Sequence, residues 1–141
     1  MKCRDVMKKT VQTCGADETV SMVAKRMRDH NIGFMPVGDG SGRLIGTVTD
    51  RDLAIRVLAD SANPDTAVRN VMSQGVISCS PDDPLRTAEE LMAKHQKSRI
   101  VCTDADGKPQ GVISLSDIAE VERAGKAAGV MKAVSAREAH P

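Results

Sequence analysis

The sequence contains two copies of one segment, and this internal repeat limits the folds open to the chain more than any other feature. Residues 4–54 align with residues 69–119 without a gap, at a constant offset of 65 positions. Thirteen of the 51 aligned positions are identical, whereas ordinary residue usage would give about three. Each copy should therefore form one small structural unit, and the fold should join two such units.

Each copy predicts the same order of elements, β-α-β-β-α, after a short lead-in turn. Runs rich in β-branched residues at 10–14 and 75–79 predict the first strand of each copy. Apolar residues at helical spacing predict helices over residues 19–30 and 85–95. The apolar positions of the first of these helices are Val20, Val23, Ala24 and Met27. Two strands around a turn rich in Gly and Asp follow, and a second helix ends each copy.

A three-stranded sheet of this size would be marginal alone, so the two copies should pack together. We predict an α/β fold in which repeats 1–62 and 63–124 pack about a pseudo-twofold axis. Such packing would create two related clefts at the junction. Residues 125–141 would form a C-terminal tail, either as a short helix or disordered.

Composition argues against several classes of partner. The 141 residues carry a formal net charge of +1, so no cationic surface for nucleic acid is indicated. No apolar run approaches the roughly 20 residues that a membrane span needs, and no signal peptide is recognisable. We therefore expect a cytoplasmic protein with neither a nucleic-acid partner nor a membrane partner.

A short motif recurs in both copies just before the last helix. It reads "GTVTDRDLA" at residues 46–54 and "GVISLSDIA" at residues 111–119. A hydroxyl followed three residues later by an acid is typical of a helix capping box. The same arrangement suits a ribose phosphate, because a helix start attracts phosphate and a carboxylate can accept hydrogen bonds from ribose hydroxyls. The glycine would let a ligand or a neighbouring backbone approach closely.

Both copies resemble cystathionine-β-synthase (CBS) domains, and residues 1–124 resemble the tandem pair called a Bateman module. The resemblance rests on the "VM" lead-ins, on "MRDHNIGFMPV" and on "GTVTDRDL". It implies a regulatory module and no catalysis. The ligand would be an adenosine compound such as AMP, ADP, ATP, NAD or S-adenosylmethionine, with no required cofactor. The other partners would be a second copy of the chain, in a homodimer, and an unidentified effector protein.

The resemblance also implies roles for particular residues. Asp52 and Asp117 would hold ribose hydroxyls, Thr49 and Ser114 would hold phosphate, and Arg51 would be a second phosphate donor. The residues implied for the base pocket and its walls are Thr13, Cys14, Ile77, Ser78, Phe34, Met35, Pro36, Val37, Arg99, Ile100 and Val101. The two clefts should differ, because Phe34 aligns with Arg99 and Arg51 aligns with Ser116.

Two other functions stay open. The chain could be a structural oligomerisation module with vestigial clefts, or a metal- or redox-responsive protein that uses Cys14 and Cys79. His30 and His95 also match by repeat, but these spacings lack the close ligand pairs of zinc modules. No P-loop, HExxH or GxSxG motif appears. We therefore predict buried, reduced thiols, with no catalytic and no metal-binding residues.

Overall fold

The computed structural model describes residues 1–9, 12–125 and 130. The first repeat contains β1 (Cys14–Gly15), α1 (Val20–His30), β2 (Phe34–Gly38) and β3 (Leu44–Thr49). Helix α2 then begins at Asp50–Asp52 and continues as a π-helix over Leu53–Leu58. The second repeat contains β4 (Ser78–Cys79), α3 (Leu85–His95), β5 (Arg99–Thr103) and β6 (Pro109–Ser114). Residues 115–125 then form helix α4. The predicted α/β order is confirmed in both repeats.

Each repeat builds its own three-stranded sheet. The orders are β1-β2-β3 and β4-β5-β6, with the first pair of strands parallel and the second pair antiparallel. The hairpin turns are closed by Asp39 and Asp104, whose Oδ1 atoms accept backbone N–H groups of the turn. Bonds from the Ser41 hydroxyl and from backbone N–H groups lower the pKa of Asp39.

The first helix of each repeat covers one face of its sheet. In α1, Val20, Val23 and Met27 are buried, whereas Ala24 is exposed at the edge of the apolar stripe, contrary to expectation. The Thr19 hydroxyl accepts the Met22 N–H at 3.2 Å and so caps the helix. In α3, Leu85, Ala88 and Met92 are buried. These apolar faces, with the inner faces of the sheets, form one core in each repeat.

The lead-in turns, Cys3–Asp5 in the first repeat and Val68–Asn70 in the second, each pack against the opposite repeat. Cys3 is fully buried in the core of the second repeat, and Val68 is fully buried in the core of the first. Arg4 forms an ion pair with Asp82. The repeat equivalents of these residues, Arg69 and Asp17, form the matching pair. Because each contact recurs with the roles of the repeats reversed, the two repeats are related by a pseudo-twofold axis.

The exchanged lead-in turns also explain why the first strand of each repeat is shorter than predicted. They were expected over residues 10–14 and 75–79. Residues 10 and 11 lie outside the described part of the chain, and among the described residues the sheet pairing covers β1 and β4, two residues each. Lys8 instead pairs with Val112 of β6, and Ser73 pairs with Thr47 of β3. Because Lys8 and Ser73 pair with the opposite repeat, the chain joins the sheet of its own repeat only at the two residues of β1 or β4.

Within the described residues no helix combines the length and the apolar character that crossing a membrane requires. Of the predicted tail, residues 126–129 and 131–141 lie outside the described part of the chain.

Candidate functional site

Two clefts lie between the repeats. The first cleft is bordered by Thr49 and Asp52 of one repeat and by Val76, Ile77 and Lys97 of the other, and its cavity volume is about 220 Å³. The second cleft is bordered by Ser114, Ser116 and Asp117 together with Lys8 and Ile32, and its cavity volume is about 280 Å³. Each cleft therefore combines the start of a helix in one repeat with segments of the other repeat that lie just before its strands.

Both helix starts form complete capping boxes. The Asp52 N–H donates to Thr49 Oγ1 at 3.1 Å, and the Thr49 N–H donates to Asp52 Oδ2 at 2.9 Å. The corresponding distances for Ser114 and Asp117 are 3.2 and 2.9 Å. The capping interpretation is thus confirmed. It occupies only one oxygen of each carboxylate, however, and an ionised carboxylate has two oxygens that accept hydrogen bonds.

The second oxygens differ between the clefts. Asp117 is buried, with its side chain 9% exposed, and Lys8 Nζ lies 3.5 Å from Asp117 Oδ1. Asp52 is half-buried, and in the described ranges no ion-pairing or hydrogen-bonding group contacts its Oδ1. Both Oδ1 atoms can accept a further bond from a donor in the cleft. In the second cleft such a donor would share the carboxylate with an ammonium group.

The two glycines of the recurring motif are explained by the lead-in turns. A Cβ on Gly46 would lie 2.7 Å from Met72 Sδ and 2.9 Å from the Ser73 carbonyl oxygen. A Cβ on Gly111 would lie 2.7 Å from Met7 Sδ and 3.0 Å from the Lys8 carbonyl oxygen. The close neighbour that these glycines admit is therefore the lead-in segment of the opposite repeat.

Phe34 and Arg99 border both clefts. The guanidinium carbon of Arg99 lies 5.4 Å from the centroid of the Phe34 ring, within the range of a cation–π contact. These residues are repeat equivalents at the first positions of β2 and β5. The pseudo-twofold axis therefore brings an aromatic ring and a cation together between the clefts.

The structure places the sequence-predicted residues in three groups. Ile77 and Val101 line the first cleft with Thr49 and Asp52. Buried core positions are occupied by Cys14, Met35, Pro36, Val37 and Ile100, because they lie on or within the central strands. Thr13, Arg51 and Ser78 are exposed and border neither cleft. Ser78 faces a separate groove beside Asp82.

Sequence reasoning missed the lysines of the clefts. Lys97 borders the first cleft and Lys8 borders the second. Lys8 reaches the second cleft only through the exchanged lead-in turn, a long-range pairing with no local signal. Lys97 lies two residues before Arg99, and the match between Arg99 and Phe34 could have drawn attention to this segment.

All four cysteines are free and buried, as predicted. Cys14 belongs to the core of the first repeat and Cys79 to that of the second. Burial raises the pKa of the Cys14 thiol to about 11. In the second core, Cys79 Sγ lies 3.8 Å from Cys3 Sγ and 3.7 Å from Cys102 Sγ. A thiol hydrogen bond with Cys102, together with burial, raises the pKa of Cys79.

The residues considered for zinc are kept apart. His30 and His95 are exposed at the ends of α1 and α3, whereas the cysteines are inside the cores. Among the described residues, no group of three or more Cys, His, Asp or Glu side chains has the arrangement of a metal site.

Comparison with known proteins identifies the repeat. The profile of the CBS domain family matches residues 3–59 and 68–124. The CBS domain-containing protein YhcV of Bacillus subtilis (strain 168) is 35% identical over 126 residues, which cover 89% of each protein.

Solved structures of CBS domain pairs share the fold. The pair of protein MJ0100, in complex with 5′-methylthioadenosine and S-adenosyl-L-methionine, gives a TM-score of 0.78 at 24% identity and covers 89% of this chain and 98% of that one. CBSX2 in complex with AMP gives 0.73 at 19% identity, with 89% and 98% covered. Hypoxic Response Protein I, with two coordinated zinc ions, gives 0.75 at 28% identity, with 85% and 98% covered.

Proposed function

This chain belongs to the CBS domain family, as a tandem pair of CBS domains, and we propose that it is a regulatory module that senses an adenosine-containing ligand. The observation that carries the proposal is the carboxylate at each helix start, Asp52 and Asp117. Each carboxylate caps its helix with Oδ2 and lies at a cleft. Its Oδ1 is the acceptor for a ribose hydroxyl. Capping and ligand binding are therefore compatible roles of one side chain.

Phosphate would bind at the same helix starts. The hydroxyls of Thr49 and Ser114 accept a backbone N–H. Thr49 keeps a proton that can be donated to a phosphate oxygen. Ser114 Oγ lies 2.9 Å from Ser116 Oγ, so these two hydroxyls share one hydrogen bond and together keep one proton to donate. The helix N-terminus adds partial positive charge. The ammonium groups of Lys97 and Lys8 border the first and second clefts respectively, and they supply a counter-charge.

The base would rest on apolar surface that differs between the clefts. Val76 and Ile77 border the first cleft, and Ile32 and Val112 border the second. The cavity volumes lie just below the roughly 300–1,000 Å³ typical of small-molecule pockets. A compound with one adenosine group is the smallest ligand that the proposal requires. Ligands of this kind, AMP and S-adenosyl-L-methionine, are present in the solved CBS domain pairs of CBSX2 and MJ0100.

The proposal extends to assembly and to signalling. Ile55 and Leu58 lie three residues apart on α2, as neighbours on the helix surface, and they are 46% and 80% exposed. Adjoining exposed apolar side chains of this size favour an interface. We expect a homodimer of the 15.0 kDa chain, which light scattering at micromolar concentration would detect. We expect an unidentified effector protein to respond to the liganded form, and no catalysis by the chain itself.

A thermal-shift series tests the proposal. AMP, ADP, ATP, NAD and S-adenosylmethionine are each added at millimolar concentration, and inosine monophosphate is added as the control nucleotide. A ligand that binds the folded state raises the melting temperature by mass action. We expect a shift with at least one adenosine ligand and a smaller one with the control. No shift with any adenosine ligand would favour the structural oligomerisation module instead.

A further inference from the structure

A pair of polar side chains distinguishes the wall of the second cleft from that of the first. Gln12 borders the second cleft, and its repeat equivalent, Ile77, borders the first. Arg26 on α1 contacts Gln12, whereas the repeat equivalent of Arg26 is Leu91. Ile77 and Leu91 pack against the core of the second repeat. The first repeat therefore has a polar pair where the second has an apolar pair, and one member of each pair reaches a cleft.

The Arg26 side chain is fixed by contacts at both of its terminal nitrogens. Its Nη1 lies 3.3 Å from Glu18 Oε1, and its Nη2 donates to Gln12 Oε1 at 3.2 Å and to the Thr13 carbonyl oxygen. Glu18 is itself tied to the backbone, because its Oε2 accepts the Gly15 N–H at 2.6 Å. The guanidinium is therefore a well-anchored donor beside Gln12.

This contact fixes the orientation of the Gln12 amide. A guanidinium has donors only, so the Gln12 atom that contacts Arg26 is the carbonyl oxygen. The amide nitrogen carries two N–H donors, and among the described residues no protein group accepts a bond from it. Because Gln12 borders the second cleft, these donors can serve a ligand there. At the equivalent place in the first cleft, Ile77 has no donor.

We propose that Gln12, oriented by Arg26, is a specificity-determining residue of the second cleft and donates an amide N–H to a ring nitrogen of adenine. This inference rests on the proposed function. The amino group of adenine is a donor and its ring nitrogens are acceptors, so a ring nitrogen is the base atom that an amide N–H can bind. Ile77 offers the first cleft only apolar contact. The two clefts therefore recognise the same base differently.

The test measures the binding of adenosine and of its 1-deaza, 3-deaza and 7-deaza analogues by calorimetry. Each analogue has a C–H group in place of one ring nitrogen and so lacks one acceptor. Asp52→Ala, which keeps the second cleft, is the background. We expect at least one analogue to bind about tenfold more weakly than adenosine, which is the effect of one hydrogen bond. Gln12→Met should weaken adenosine by the same factor and leave the affinity for that analogue unchanged.

The second repeat supplies the matched variants. Gln12→Ile combined with Arg26→Leu gives the first repeat the apolar pair that the second repeat has at Ile77 and Leu91. It should keep the fold and lose the distinction between adenosine and the analogue. Arg26→Leu alone should also lose the distinction, because the amide is no longer oriented. Ile77→Met, in the Asp117→Ala background that keeps the first cleft, should change the affinities for adenosine and all three analogues by one common factor.

The pattern across the ligands decides the matter. A loss in Gln12→Met that is equal for adenosine and all three analogues would show that the amide contacts no ring nitrogen, and would overturn the inference. Unchanged adenosine affinity in Gln12→Met would overturn it as well, while the proposed function would stand. A distinction that survives Arg26→Leu would contradict the positioning role of Arg26. No binding of AMP or adenosine to the wild-type chain would contradict the proposed function itself, and the inference would fail with it. A loss confined to the ligands that keep one particular nitrogen would support the inference and identify the atom that Gln12 contacts.

Discussion

Gly46 lies so close to Met72 that a Cβ on the glycine would stand 2.7 Å from the methionine sulfur. Met72 belongs to the lead-in segment of the second repeat and packs against the core of the first. Gly111 and Met7 repeat the relationship at the other side of the pseudo-twofold axis. These two contacts pack each lead-in segment closely against the opposite repeat. They thereby help to position residues 73–77 and Lys8, which border the clefts.

Gly46→Ala and Gly111→Ala should each destabilise the protein by about 1–3 kcal/mol, because the added methyl meets both a thioether and a backbone carbonyl. Gly40→Ala is the matched control, since a Cβ there has no neighbour within 4 Å. It should change stability by no more than about 0.5 kcal/mol. Urea unfolding followed by circular dichroism measures the difference. Equal losses at all three positions would contradict the close-approach explanation.

Asp52→Ala should weaken adenosine-ligand binding in the first cleft by about 2–4 kcal/mol, if the carboxylate accepts ribose hydroxyls. The lost cap should lower the free energy of unfolding by only about 1 kcal/mol. Asp83→Ala is the control, because Asp83 Oδ2 accepts the Ser80 N–H at 2.9 Å but borders neither cleft. It should reduce stability and leave calorimetric binding unchanged. Unchanged binding in Asp52→Ala would show that Asp52 acts only as a helix cap and does not contact the ligand.

The buried thiols should not react in the folded protein. Burial raises the pKa of Cys3 to about 12 and that of Cys14 to about 11, so little thiolate forms at pH 8, and thiolate is the reactive form. We expect no rapid reaction with a disulfide reagent at pH 8, and reaction of all four cysteines after unfolding in guanidinium. Rapid modification of Cys14 or Cys79 in the folded state would favour the redox-responsive alternative.

The raised pKa of Cys14 also predicts a pH dependence of stability. An unfolded thiol ionises near pH 8.5, whereas the folded Cys14 thiol keeps its proton up to about pH 11. Its contribution to stability is therefore complete below about pH 8.5 and is lost as the pH rises toward 11. Urea midpoints at pH 8 and pH 10 should show a larger drop for the wild-type chain than for Cys14→Ala. Equal drops would mean that Cys14 titrates normally.

The local elements could be predicted because their signals are local. The apolar spacing of Val20, Val23 and Met27 predicts α1, and the turn chemistry of Asp39 and Gly42 predicts the first hairpin. The capping boxes were likewise visible as a hydroxyl and an acid three residues apart. All of these features depend on contacts within a few residues, and periodicity and turn composition report such contacts.

The exchange of the lead-in turns could not be predicted in the same way. The pairing of Lys8 with Val112 joins residues far apart in the sequence, and the β-branched residues at 76–77 predict a strand whichever partner the chain has. Gly46 and Gly111, which are identical by repeat, indicated that some group approaches the backbone closely at these positions. A glycine does not distinguish a ligand from a methionine side chain, however, so the lead-in segment was not identified as that group. The residues that border the clefts therefore differ from those expected: Lys8 and Lys97 border them, whereas Cys14 does not.

The most direct test of the central claim is equilibrium dialysis against AMP, ATP and S-adenosylmethionine. The chain has no Trp and no Tyr, so adenine absorbance near 260 nm reports the bound ligand with little background from the protein. For at least one ligand we predict that the protein side shows excess absorbance that saturates as the ligand concentration rises. Half-saturation should fall in the micromolar range, which corresponds to a binding free energy of about −8 kcal/mol. We also predict that Asp52→Ala combined with Asp117→Ala abolishes this excess. Equal absorbance on both sides of the membrane, at every concentration of every ligand, would contradict the account.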